Sequence, residues 1–152
     1  GRRRGHPRLH RRGTPVAVVV VDASIVVRLL QNRRGDAALR ERFSRERRLH
    51  APALIDAEVT SALRGLLMTS KVAIRITRKR AGEMLDDYAD LPIERHLLQP
   101  LQRRVLELRD NFTAYDAFYV ALAEALDLPL LTDDGKFARS TSQPSLIETW
   151  PS

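Results

Sequence analysis

From Val16 onward, short apolar runs alternate with longer stretches in which apolar positions recur every three or four residues. The first run, VAVVVV from Val16 to Val21, is β-branched and ends at Asp22, which predicts a strand buried on both faces. A short helix is expected from Ser24 to Gln31. Gly35 and Asp36 then offer a stop and an N-cap, and Leu39 and Phe43, four residues apart, predict a second, surface helix. LHAPAL (49–54) predicts a short strand, and from Asp56 to Met68 the residues Val59, Leu63 and Leu66/Leu67 share a helical face. A further helix is expected from Val72 to Tyr88, weakened in propensity at Gly82. DLPIERHLL (90–98) predicts a third strand. Pro100 stands near the first turn of the next helix, with Leu101, Val105 and Leu108 along one side. TAYDAFYVALAEALDLPLLTDD (113–134) holds an almost wholly apolar helix and a fourth strand, LPLLT, with acids at the two ends. ARSTSQPS (138–145) is expected as a polar loop and LIETW (146–150) as the last strand.

Strands separated by helices imply parallel pairing and right-handed crossovers. The fold expected is a three-layer α/β/α sandwich on a mainly parallel central sheet. No repeat or linker divides residues 16–152, which are expected to form a single domain; 152 residues with 43% hydrophobic content suffice for a real core.

Composition removes several classes of chemistry. The chain has no cysteine, so disulfides and thiolate metal sites are excluded, which agrees with a reducing, cytoplasmic setting. Of four histidines, His6, His10 and His50 stand in no ligand spacing, and His96, at the end of a strand pattern, is expected to be packed rather than ligating, so zinc is not anticipated. The run Val16–Val21 is far shorter than the ~20 residues of a membrane helix. A net charge of +7 suggests nucleic acid until its distribution is examined. Arg2, Arg3, Arg4, Arg8, Arg11 and Arg12 supply six of the 26 basic residues, leaving 20 against 19 acids. Residues 1–15 lack apolar periodicity and are expected to be a disordered basic tail. A start at Gly rather than Met favours a remnant of expression or a mis-set start over a phosphate-binding arm.

In open parallel sheets the ligand crevice lies beyond the carboxyl ends of the strands, at the switch in strand order. Asp22 ends the first strand, Glu58 opens the helix after the second, Asp116 opens the helix before the fourth, and Asp134 follows that strand. Each has a plainer reading. Asp22 is placed to cap a helix; Glu58 complements a helix dipole with Asp56 as the cap; Asp116 lies three residues after Thr113 as in a capping box; Asp133-Asp134-Gly135 is turn chemistry. Four carboxylates converging on one rim, however, raise each other's pKa, and a bound cation is the usual resolution. Oxygen-only ligands suit Mg²⁺ or Mn²⁺, ions that do phosphate chemistry.

These residues carry a resemblance. VVVDAS (residues 19–24, with Val18 before them), APALIDAEVTSALR (51–64), TAYDAFYVALAEALDLPLLTDD and the GKF that follows resemble, in order and spacing, the PIN-domain ribonucleases, and within them the VapC-type toxins of bacteria. The resemblance spans about Val18 to Trp150. It implies that Asp22, Glu58, Asp116 and Asp134 are the metal-binding acids, with Asp134 preferred over Asp133 because it stands two residues after Thr132. Ser24 and Thr132 then occupy hydroxyl positions suited to orienting carboxylates or water. It further implies Mg²⁺-dependent hydrolysis of RNA, with Mn²⁺ able to substitute, and a structured tRNA or rRNA as target. A VapB-type antitoxin and a homodimer are also implied.

The basic positions are less decisive. Arg33, Arg34, Arg45, Arg47 and Arg48 suit RNA phosphates but lie among Asp36, Glu41 and Glu46, so a solvated, locally paired face explains them too; Arg75, Arg78, Lys79 and Arg80 form the better RNA-binding cluster. Leu29, Leu30, Leu66 and Leu67 suit either the core or a groove for a partner helix. Other classes fit poorly. A phospho-receiver would need a lysine at the end of the last strand, and a nucleotide-binding regulator a glycine-rich loop where DASIVV stands. A catalytically inactive PIN-like binding module and a non-toxin PIN nuclease in RNA processing remain as alternatives, the first weakened by the presence of all four acids.

Overall fold

The computed structural model describes residues 18–46 and 48–151. The basic segment 1–15, Val16 and Arg47 therefore lie outside the described residues. Strand β1 (Val18–Val21) is followed by helices α1 (Ala23–Gln31) and α2 (Ala37–Arg45), strand β2 (Arg48–Pro52), helices α3 (Ile55–Met68) and α4 (Arg78–Ala89), and strand β3 (Ile93–His96). Helices α5 (Gln102–Glu107) and α6 (Ala114–Leu126) lead to strand β4 (Leu130–Thr132), the short helix α7 (Lys136–Ser140) and strand β5 (Ile147–Thr149).

All pairings are parallel, in the order β3-β2-β1-β4-β5. Val19, Val20 and Val21 are buried, as a strand covered on both faces requires. Helices α1, α3 and α4 pack on one another, and α5 packs on α6, which crosses β1, β2 and β4. The expected α/β/α sandwich is thus observed. The order matters for function: β1 pairs with β2 on one side and β4 on the other, so the chain reverses its direction of travel across the sheet between β1 and β4. That switch opens the crevice beyond their carboxyl ends.

Two predicted elements differ. The helix expected from Val72 starts at Arg78: Val72, Ile74, Ile76 and Thr77 are β-branched and poor helix formers, and Thr77 caps α4 by accepting a hydrogen bond from Arg80 N at 3.1 Å. The preceding turn is closed by Ile74 N and Arg75 N on Lys71 O, and Ile76 N donates to Leu66 O. Within the predicted loop, residues up to Ser140 belong to α7, because Asp134 Oδ1 accepts Lys136 N at 3.0 Å and Phe137 is buried; Pro144–Leu146 form a single 3₁₀ turn. Helices α1 and α6 end on Asn32 and Asp127, whose φ values of 50° and 52° make them left-handed caps in place of glycine.

Candidate active site

The cap reading and the site reading of Asp22 both hold. Asp22 Oδ1 accepts hydrogen bonds from Ile25 N (3.0 Å), capping α1, and from Ser24 Oγ (2.8 Å). Its other oxygen, Oδ2, accepts the Thr132 hydroxyl at 2.5 Å, from the end of β4. Thr132 Oγ1 in turn accepts Asp134 N at 2.9 Å. One buried hydroxyl therefore ties the ends of the two strands at the switch point. Burial is the main force on the Asp22 carboxyl and pushes its pKa up to about 6, against the lowering effect of the Thr132, Ile25 and Ser24 hydrogen bonds.

Glu58, in the first turn of α3, accepts the Tyr119 hydroxyl of α6 at 2.6 Å. Its pKa is also raised, by burial first and with a contribution from Asp116; the Tyr119 hydrogen bond and Lys136 oppose this. Burial, and after it the same contact with Glu58, push the Tyr119 phenol up, so it stays a donor. Asp116 lies in the first turn of α6, which Thr113 caps by accepting Asp116 N at 3.4 Å. The Asp116 carboxylate is directed elsewhere: the Lys136 ammonium lies 2.9 Å from Asp116 Oδ2 and 3.2 Å from Asp134 Oδ2.

Asp22, Glu58, Asp116 and Asp134 line one cavity of about 180 Å³, together with Ala23, Ser24, Tyr119, Lys136 and Phe137. Asp133 does not join them. Its carboxylate takes Arg28 Nη1 at 2.8 Å and lines the neighbouring cleft of about 630 Å³, with Ser24, Arg28, Arg33 and Glu58. The acid after next from Thr132 is thus the one that faces the other three.

Two assigned caps are corrected. Asp56 does not cap α3, which has no side-chain cap; it binds Arg95 Nε (2.9 and 3.0 Å) and the Tyr88 hydroxyl (2.7 Å). Asp36 stands at the start of α2 but pairs with Arg28 at 2.9 Å. Tyr119, Lys136 and Arg28 escaped the sequence reading. Tyr119 had a signal, its i+3 spacing from Asp116 on one helical face; Lys136 stood in the GKF stretch of the resemblance without a role attached to it, and Arg28 acts across the fold and had no signal. Arg75, Arg78 and Lys79 are exposed, whereas Arg80 is half-buried and donates to Leu30 O at 2.9 Å. Leu30 belongs to the core, and Leu29 and Leu66 are partly buried against it.

The cavity gathers four carboxyl groups, and one lysine already spans two of them. Burial is the first cause of both raised carboxyls, with a smaller addition from the neighbouring acids, and the Lys136 ammonium bridges the remaining two. All donors are oxygens, which suits Mg²⁺ or Mn²⁺ over softer metals.

A fold of this order with acids at its switch point defines a class. The profile described as "PIN domain" matches residues 19–141. Ribonuclease VapC12 of Mycobacterium tuberculosis is 35% identical over 131 residues, covering 86% of this chain and 98% of the relative. Ribonuclease VapC1 of the same organism is 38% identical over 130 residues, covering 85% and 95%. Among solved structures, a toxin–antitoxin complex from Klebsiella pneumoniae superposes with a TM-score of 0.61 at 16% identity, covering 86% of this chain and 96% of that one, a likeness of fold. The chain belongs to the PIN-domain family, in its VapC branch.

Proposed function

We propose that this chain is the endoribonuclease toxin of a VapBC-type toxin–antitoxin pair, hydrolysing RNA phosphodiester bonds with Mg²⁺, or Mn²⁺ in its place, held by Asp22, Glu58, Asp116 and Asp134. The observation that carries this reading is the single cavity lined by all four acids, drawn from four separate segments. A divalent cation there would supply an acidified water and neutralise charge on the phosphate oxygens. The protein's part is to hold the acids still. Thr132 and Ser24 fix both oxygens of Asp22, and Tyr119 fixes Glu58. Lys136 spans Asp116 and Asp134 and is placed to contact a phosphate once those acids are otherwise engaged.

The substrate path leads outward from Glu58, which borders both the acid cavity and the adjoining cleft. Arg33 lines that cleft and, with Arg80, a further hollow of about 380 Å³ beyond it. This run of guanidinium groups suits an RNA backbone. The proposal extends to a tRNA or rRNA target in the cytoplasm, a VapB-type antitoxin and a homodimer; Met68, Val72 and Ile74, exposed within one short segment (68–74), are the kind of apolar surface a partner covers. Among the described residues no helix is long and apolar enough to cross a membrane.

Incubation of total cellular RNA with the antitoxin-free protein tests the reading, in Mg²⁺, in Mn²⁺, in EDTA, and with Asp22→Asn and Asp116→Asn variants of verified folding. Discrete metal-dependent fragments lost in both variants are expected. RNA left intact under both metals would instead support the inactive binding module, a reading to which the Lys136 bridge lends some weight because it satisfies two acids without metal.

A further inference from the structure

Among residues that do not line the acid cavity, strand pairing brings together groups that sequence spacing kept apart. In the parallel register of β2 and β3, His50 stands opposite Glu94 and Pro52 opposite His96. Residues opposite one another share a face, as do residues two apart on one strand, so His50, Glu94 and His96 all project from the same side of the sheet. Their ligand atoms lie within 4.8 Å of one another. His50 Nδ1 is 2.8 Å from His96 Nε2 and 3.7 Å from Glu94 Oε2.

We propose that His50, Glu94 and His96 form a second metal site, for a borderline transition cation of the Zn²⁺ class, separate from the acid cavity in location and in chemistry. The set is two imidazoles and one carboxylate, which Mg²⁺ disfavours and Zn²⁺ takes with a fourth position left to water. Tetrahedral zinc with bonds of about 2.0–2.1 Å sets its ligand atoms about 3.3 Å apart, a value that the two measured separations bracket. Small side-chain rotations therefore close the site without moving the backbone. A hydrogen bond accounts for the 2.8 Å contact between the imidazoles, and register sets Glu94 beside His50; the geometry that a metal would use is the gathering of all three ligand atoms within 4.8 Å.

Protonation is compatible. Burial is the main cause lowering the His50 pKa, with His96 and Arg48 adding to it and Glu94 opposing, so the ring is neutral at ordinary pH. When a cation takes His50 Nδ1 and His96 Nε2, each ring carries its remaining proton on the other nitrogen; the proton shared between the rings moves by tautomerisation and none need be released. Arg48 lies 3.6 Å from Glu94, but both side chains are at least half exposed, and such a pair yields readily to a metal. β3 is an edge strand and Glu94 is exposed, so the site is reachable from solvent.

Cobalt titration of the full chain is the test, because four-coordinate Co²⁺ with nitrogen ligands absorbs strongly in the visible, whereas six-coordinate Co²⁺ among carboxylates absorbs weakly. The expected result is the strong absorption saturating at one equivalent and displaced by Zn²⁺ but not by excess Mg²⁺. It should vanish in His96→Gln and His50→Gln and persist in Asp22→Asn. His96→Gln is the decisive variant, since His96 is only partly buried, and its fold is checked by circular dichroism. Absence of the absorption in the unaltered protein, or its persistence in His96→Gln, overturns the proposal. Either result leaves the reading of the acid cavity untouched.

Discussion

Thr132 Oγ1 lies 2.5 Å from Asp22 Oδ2, and through that contact the end of β4 holds the first acid of the cavity at the end of β1. Thr132 has no exposed surface, and its hydroxyl also accepts Asp134 N. Thr132→Val keeps the shape and removes both bonds, leaving a buried carboxylate oxygen and an amide unpaired. A loss of about 1–3 kcal/mol in stability is expected from urea denaturation, with RNA cleavage falling in parallel. Thr132→Ser should keep most of both.

Tyr119 is buried in α6, and its hydroxyl is the one side-chain donor on Glu58 among the described residues. Tyr119→Phe leaves the ring packed and frees Glu58 to rotate. Cleavage is expected to fall about 10–100-fold, the usual cost of losing a group that orients a ligand. Circular dichroism should be unchanged. Activity equal to that of the unaltered protein would show that Glu58 needs no such support.

Lys136 occupies the oxygens of Asp116 and Asp134 that the proposed divalent cation would have to share or take over. In Lys136→Met the two carboxylates lose their counter-charge, so the melting temperature in EDTA should drop. The rise on adding Mg²⁺ should exceed that of the unaltered protein, because the cation no longer displaces an ammonium. An equal rise in both would place Lys136 outside the competition.

Arg28 joins two acids of unequal burial: side-chain exposures are 7% for Asp36 and 30% for Asp133, against 14% for Arg28 itself. Arg28→Met removes the main partner of Asp36, leaving Arg33 and Arg40 nearby, and should cost about 1–3 kcal/mol at pH 7. Asp133→Ala should cost far less, because Arg28 keeps Asp36. The pH dependence reports the sign. The Arg28 hydrogen bond holds the Asp36 pKa below its ordinary 3.8, so the stability this pair contributes is present above pH 3.8 and is lost as pH falls through the lower folded value. In Arg28→Met the Asp36 carboxyl keeps only the weaker attraction of Arg33 and Arg40, so most of that lowering is lost. The penalty measured at pH 4 should therefore be smaller than at pH 7.

Local pattern alone determined much of this protein. The β-branched run at Val18–Val21, the i, i+4 apolar rows of α3 and the apolar length of α6 were legible because burial on one or both faces dictates residue type at fixed periods. So were the four acids, since each falls where a parallel strand ends or a helix begins. The Val72 error has the same origin: apolar spacing suggested a helix that β-branched residues then declined to form.

What the tertiary structure decided are relationships between residues with no sequence proximity. The preference for Asp134 over Asp133 was already carried by its spacing from Thr132; what the structure adds is that Arg28, 105 positions earlier, holds Asp133 in the neighbouring cleft. The Lys136 bridge, the Tyr119 hydroxyl on Glu58 and the meeting of His50 with His96 across paired strands are of the same kind. Periodicity records which face of an element is buried; it carries no record of what another element brings to that face, because partners across a sheet or crevice are set by strand order and register.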